Sequence, residues 1–254
     1  VSEQAIAIAR KADGIIEEKD LAQMLSDTGY FKWENKQYHL IGSQYEEAID
    51  IYRKFTNGNP DAFLPKLAMS LGNLANLHHD LHKYELAEEE YNEALTAYSK
   101  LTKMNPEAFL PNAARNLGNL AILHQDLRKY ELAEKEYNET LEIYRKLAEK
   151  NLDAFLSDMA RNLGNLAILH KDLHIYDLAE KEYKEALDSY RKLAKEYPDA
   201  FFPDVALTLG NLAGLHKDLH NFDLAEREYS EALDSRRKLA EKNPDAFLPD
   251  VALT

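Results

Sequence analysis

Apolar positions along the chain recur at two scales, a short one within segments and a long one between them. The segment Leu-Gly-Asn-Leu appears at Leu71–Leu74, Leu117–Leu120, Leu163–Leu166 and Leu209–Leu212, always 46 residues apart. Between Pro111 and Leu156 the short scale is legible in full. Leu117, Leu120, Ala121, His124 and Leu127 fall at steps of three and four, which is one stripe of an α-helix, helix A. Arg128-Lys129 forms a turn, and Tyr130, Ala133, Tyr137, Thr140, Leu141, Tyr144 and Ala148 repeat the same period in helix B. Each 46-residue unit therefore predicts a helical hairpin, and the linker is a segment such as Asn105–Pro111. Proline suits a first helical turn because its missing N–H would have no partner there. Helix A is thus expected to start near Pro65, Pro111, Ser157 and Pro203, and helix B near Tyr84, Tyr130, Tyr176 and Phe222.

The ends repeat the pattern. Glu3–Lys11 reads like the helix B segment Glu46–Lys54, and Pro249–Thr254 duplicates Pro203–Thr208 at the start of a helix A. The expected division is a helix B at 1–19, a degenerate repeat at 20–63, repeats at 64–110, 111–156, 157–202 and 203–248, and the start of another at 249–254. Such a chain is expected to be a single solenoid and a fragment of a longer array, and unblunted ends predict end-to-end stacking of copies.

A period of 46 lies in the range of HEAT and armadillo units, which keeps a HEAT-like fold as the alternative. The residues favour another family. Leu117-x-x-Leu120-Ala121-x-x-His124, then Tyr130-x-x-Ala133-x-x-x-Tyr137-x-x-Thr140, resembles the tetratricopeptide repeat, especially the lengthened units of the kinesin light chain type. Ala94, Ala186 and Ala232 fit the last slot more closely than Thr140, and His in helix A departs from the family's aromatic. The resemblance implies an all-α fold, a right-handed α-α superhelix, whose A helices line a concave groove for protein or peptide partners. The function it implies is a protein-interaction scaffold. The alternatives are a self-associating structural solenoid, favoured by the near-identity of the units, and the regulatory module of a larger signalling enzyme.

Groove residues are those of helix A facing away from the core stripe: Arg115, Gly118, Asn119, Ile122, Gln125 and Asp126 in one unit. Gly and Asn are weak helix formers, together costing about 1 to 2 kcal/mol per unit relative to Ala. Two readings account for their recurrence: close packing of neighbouring A helices, or a ladder of amides at Asn73, Asn119, Asn165 and Asn211 that bonds a peptide backbone. In kinesin-light-chain-like arrays the resembling asparagines contact bound peptide. Arg115 and Arg161, with Gln125, Lys171 and Lys217, would vary the groove's specificity, and Asp80, Asp126, Asp172 and Asp218 offset their charge. A groove of mixed sign with basic spots suits an acidic or neutral peptide.

Composition narrows the remaining classes. With 9 Gly, 8 Pro, no Cys and 45% hydrophobic residues, the chain has a helical profile with ample core material. A net charge of -14 without a basic cluster argues against nucleic acid. No apolar run approaches a bilayer span, so no membrane partner is expected. The lack of cysteine fits a cytoplasmic protein. Helix B runs such as Glu88-Glu89-Glu90 read as a solvated face. His78/His82, His170/His174 and His216/His220 have the i,i+4 spacing of metal ligands, but their first members occupy the core slot and their second members the turn, so no metal is expected. No motif for catalysis or for a cofactor is present, and the chain is not expected to be an enzyme.

Overall fold

The computed structural model describes residues 18–34 and 41–242. All regular structure among them is helical: α1 (Glu18–Glu34), α2 (Gly42–Thr56), α3 (Pro60–Asp80), α4 (Tyr84–Met104), α5 (Pro106–Asp126), α6 (Tyr130–Ala148), α7 (Leu152–Asp172), α8 (Tyr176–Glu196), α9 (Pro198–Asp218) and α10 (Phe222–Lys242). The chain divides into two compact units, one ending at Lys129 and one beginning at Tyr130. In unit 1, α1 to α5 pack each on the next, and α3 also touches α1 and α5. In unit 2, α6 to α10 pack in the same consecutive way, and α7 touches α9. Each unit is therefore a stack of alternating A and B helices with the A helices side by side. The segment before Glu18 and the repeat start at 249–254 lie outside the described residues.

Helix B begins where the sequence places it, at Tyr84, Tyr130, Tyr176 and Phe222. Helix A begins five residues earlier than expected, at Pro60, Pro106, Leu152 and Pro198, and its second proline lies inside the helix at Pro65, Pro111 and Pro203. The supposed linker is the first turn of helix A. Asn59, Asn105 and Asn151 are its N-caps, their side-chain oxygens accepting from the backbone N–H of Ala62, Ala108 and Ala154 at 3.2 to 3.3 Å. Such a cap contributes about 1 kcal/mol. Pro60 and Pro106 then occupy the position where a missing N–H costs nothing. Pro111 deletes one further bond, but so near the helix end that the ring is accommodated.

Helix A ends in a tight reversal at His82, Arg128, His174 and His220, each with φ of 57° to 60°. The N–H of the next residue reaches back to the carbonyl of the core histidine, as from Lys83 to His78 at 2.8 Å, and the reversal residue bonds three back, as from His82 to His79 at 2.9 Å. This is the left-handed Schellman end, made here without glycine. His82 and His174 lie against the tyrosine that opens helix B, with Nδ1 to Tyr Oη distances of 2.8 and 2.6 Å.

The core follows the sequence stripes. Ala121, Leu120, Ala133, Tyr137, Thr140 and Tyr144 are buried, as are Leu163, Leu166, Ala179, Tyr183, Ala186 and Tyr190 one period on. Small residues in helix B let neighbouring helices approach closely. Among the described residues no helix is long and apolar enough to cross a membrane.

Candidate functional site

The exposed faces of the A helices carry the residues the sequence nominates. In unit 1, α1, α3 and α5 frame a cavity of about 510 Å³. Asn73 and Asn76 enter from α3, Asn112, Arg115, Asn116 and Asn119 from α5, and Asp27 from α1, with Met69 and Tyr98 supplying apolar surface. Five amides converge because every one lies at a helical step from the next: 112, 116 and 119 on one face of α5, 73 and 76 on one face of α3. Burial pushes the Tyr98 phenol up to about 12, so it stays protonated beneath the cavity.

The amides are partly committed. Asn119 Nδ2 donates to Asn76 Oδ1 at 2.9 Å, and the Tyr91 hydroxyl donates to the same oxygen at 2.5 Å. Asn119 thus bonds the neighbouring A helix, the packing alternative for that residue, and keeps its carbonyl and the second N–H of its amide for other partners. Asn116 Nδ2 donates to its own helix, to Asn112 O at 3.0 Å, and its buried Oδ1 has no partner. That oxygen lies where a side chain on Gly72 would be, 2.3 Å from the place of a Cβ. Gly72 is therefore a packing glycine, whereas a Cβ on Gly164 or Gly210 would meet nothing within 4 Å. Asn73 makes no hydrogen bond inside the protein among the described residues.

In unit 2, Asn165 and Asn211 are half-buried on α7 and α9. Two of the expected basic spots, Arg161 and Lys171, are already paired with carboxylates. Arg161 binds Asp158 three residues back on its own helix at 2.7 Å. Lys171 reaches Asp218 on the next A helix at 3.1 Å, and in unit 1 His79 reaches Asp126 in the same way at 2.7 Å. The repeated aspartates thus tie A helix to A helix. Lys217 and Asp172 are exposed, and Gln125 is half-buried and already engaged in an interaction. Of the nominated residues, the structure gathers Asn73, Asn119 and Arg115 into one cavity.

The glutamate runs are not simply a solvated face. His78 Nδ1 lies 2.9 Å from Glu90, His170 Nδ1 2.8 Å from Glu182, and His216 Nδ1 2.7 Å from Glu228, always twelve residues on. The opposite ring nitrogen faces the preceding helix B: His124 to Glu88 at 3.2 Å, His170 to Glu134 at 3.5 Å, and His216 to Glu180 at 3.4 Å. The last of these is a charge contact without hydrogen-bond geometry. Glu88 also takes Lys129 at 2.6 Å, which with the histidine holds its carboxyl below the usual range. The hydrogen bond to Glu182 raises the His170 imidazolium above its ordinary value. Only Glu89 of the Glu88–Glu90 run remains an exposed acid. The i,i+4 histidine pairs divide between different partners: His78 to Glu90 and His82 to Tyr84, His170 to Glu182 and His174 to Tyr176. A second set of ion pairs joins successive B helices forty residues apart, Arg53 to Glu93, Arg145 to Glu185 and Arg191 to Glu231.

Models of the tetratricopeptide repeat match residues 67–146 and 205–245. The chain carries tetratricopeptide repeats. Its helix pairs are those of this repeat, lengthened to 46 residues, and the HEAT alternative is set aside. A comparison with curated protein sequences gives no match. Solved structures of similar fold include BtubC (BKLC) from P. vanneervenii, with a TM-score of 0.72 and 22% identity over 93% of this chain and 88% of that one. A Rap protein complexed with competence and sporulation factor aligns with a TM-score of 0.67 and 16% identity over 96% and 61%. A Podosopora anserina putative kinesin light chain with nearly identical TPR-like repeats aligns at 0.60 and 13% over 90% and 99%. At these identities the likeness is one of fold.

Proposed function

We propose that the chain is an interaction scaffold that holds an extended segment of a partner protein against the exposed faces of its A helices. The observation that carries this reading is the cavity of unit 1, where Asn73, with no bond inside the protein, stands beside the remaining donors and acceptors of Asn76, Asn112 and Asn119. Side-chain amides that both donate and accept suit a peptide backbone, which presents the same two groups at every residue. The Rap protein of similar fold was solved in complex with competence and sporulation factor, which supports the reading. Packing accounts for Gly72 and Asn119 and leaves Asn73, Asn165 and Asn211 for a ligand.

Selection of phage-displayed dodecapeptides on the immobilised chain, followed by calorimetry, tests the proposal. Selected peptides should bind in the micromolar range, and Asn73→Ala should weaken them at least about fivefold with helical circular dichroism unchanged, the size expected for loss of one or two hydrogen bonds. Selected peptides indifferent to Asn73→Ala, Asn165→Ala and Asn211→Ala would contradict it.

A further inference from the structure

The cavity of unit 1 holds two charges of opposite sign, and neither has an oppositely charged partner among the described residues. Arg115 belongs to α5 and Asp27 to α1, so they stand on the two walls flanking α3. Among the described residues Asp27 accepts a hydrogen bond only from the neutral amide of Gln23, at 2.8 Å. Arg115 differs from the matching arginine one repeat on in what stands three residues before it. Arg161 has Asp158 three residues earlier and binds it at 2.7 Å, whereas three residues before Arg115 stands Asn112. The substitution of an amide for a carboxylate leaves the guanidinium directed to nothing of its own helix. Asn116 Oδ1, in the wall between α3 and α5, is buried against Gly72 and has no hydrogen-bond partner.

We propose that this cavity recognises a dipolar peptide segment, one whose acidic side chain meets Arg115 and whose basic side chain meets Asp27. The inference rests on the groove reading above and adds to it a charge signature and a direction. Charge-assisted hydrogen bonds to a guanidinium and to a carboxylate are the stronger kind, and complementary charges fix register. Adjacent A helices lie about 8 to 10 Å apart, so the two walls are separated by roughly 10 to 16 Å once their side chains reach inward. An extended chain advances about 3.3 Å per residue, which places the acid and the base about three to five residues apart. Because the two charges sit on different helices, only one order of acid and base along the ligand satisfies both while its backbone meets the amides of α3 in one sense. Met69 and Tyr98 offer apolar surface to the residues between.

The test uses blocked, fluorescein-labelled dodecapeptides of Asn, Ser, Thr and Ala, read by anisotropy with the full chain. One set carries Glu then Lys four residues apart, one carries Lys then Glu, and the others carry Glu alone, Lys alone or no charge. One of the two orders should bind about tenfold more tightly than the neutral peptide and several-fold more tightly than the reverse order. Arg115→Gln should remove the gain from the acid and Asp27→Asn the gain from the base. The exchange Asp27→Arg with Arg115→Glu should invert the preferred order, an outcome that loss of folding cannot imitate. Binding that weakens with Asn73→Ala but ignores charge and order would overturn the dipolar signature and leave the groove reading standing. Absence of binding by every peptide, with helicity intact, would overturn both.

Discussion

His170 Nδ1 lies 2.8 Å from Glu182 of the following helix, and its other ring nitrogen faces Glu134 of the preceding B helix at 3.5 Å. The ring is almost wholly inaccessible, so a core position is held by charge as well as by packing. Its raised folded pKa, against an ordinary 6.5, means that the stabilisation is fully present below that ordinary value and is lost as pH rises through the raised one. Glu88 and Glu180 are shifted down, chiefly by Lys129 and Lys184, so their contribution is present above the ordinary 4.5 and is lost as pH falls through the lowered value. Stability should therefore peak between about pH 4.5 and 6.5, the interval between these ordinary carboxylate and imidazole values. Urea titration at pH 6 and pH 9 checks the histidine side. His170→Gln should cost about 1 to 3 kcal/mol at pH 6, the range for hydrogen bonds to charged groups, and clearly less at pH 9. An equal cost at both would remove the charge from the account.

Gly72, Gly164 and Gly210, at the same place in three A helices, should respond differently to the same change. Alanine in place of glycine within a helix gains up to about 1 kcal/mol where there is room. Gly164→Ala and Gly210→Ala meet open space and should raise the unfolding midpoint. Gly72→Ala sets a Cβ 2.3 Å from Asn116 Oδ1, so the amide must turn away, and the gain should vanish or become a loss. Pairing it with Asn116→Ala should restore the gain. Three alike values would show that the Gly72–Asn116 contact is not a constraint.

Caps make a third comparison. Asn59, Asn105 and Asn151 close helix A by accepting from the residue three on, while Tyr197 stands at the same place before α9 with no side-chain bond to give. Asn105→Ala should cost about 1 kcal/mol, and Tyr197→Asn should stabilise by a similar amount, since Tyr197 is mostly exposed and little packing is lost. Thermal melts of the two variants shifting in opposite directions would support the assignment. A Tyr197→Asn variant that melts lower would refute it.

These variants also mark where sequence reasoning stopped. The stripes Leu120–His124 and Ala133–Tyr144 are legible because burial on one helix face has a period that a single unit displays in full. The start of helix A was misplaced because Pro111 and Pro106 both suit a first turn, and only the cap at Asn105 decides between them. The role of Glu88, Glu134 and Glu180 was hidden, since a carboxylate thirty-six residues before its histidine looks like any surface acid until helix B packs beside the next helix A. Likewise the pairing of Lys171 with Asp218 removes a charge that composition alone leaves in the groove.

The central claim is that the A-helix faces hold a partner segment, and hydrogen–deuterium exchange with and without a selected peptide tests it most directly. The account predicts slowed exchange in α3 and α5 around Asn73 and Asn119, with the outer turns of α4 unchanged, and loss of that protection in Asn73→Ala. Protection confined to the B helices, or unaltered in that variant, would contradict it.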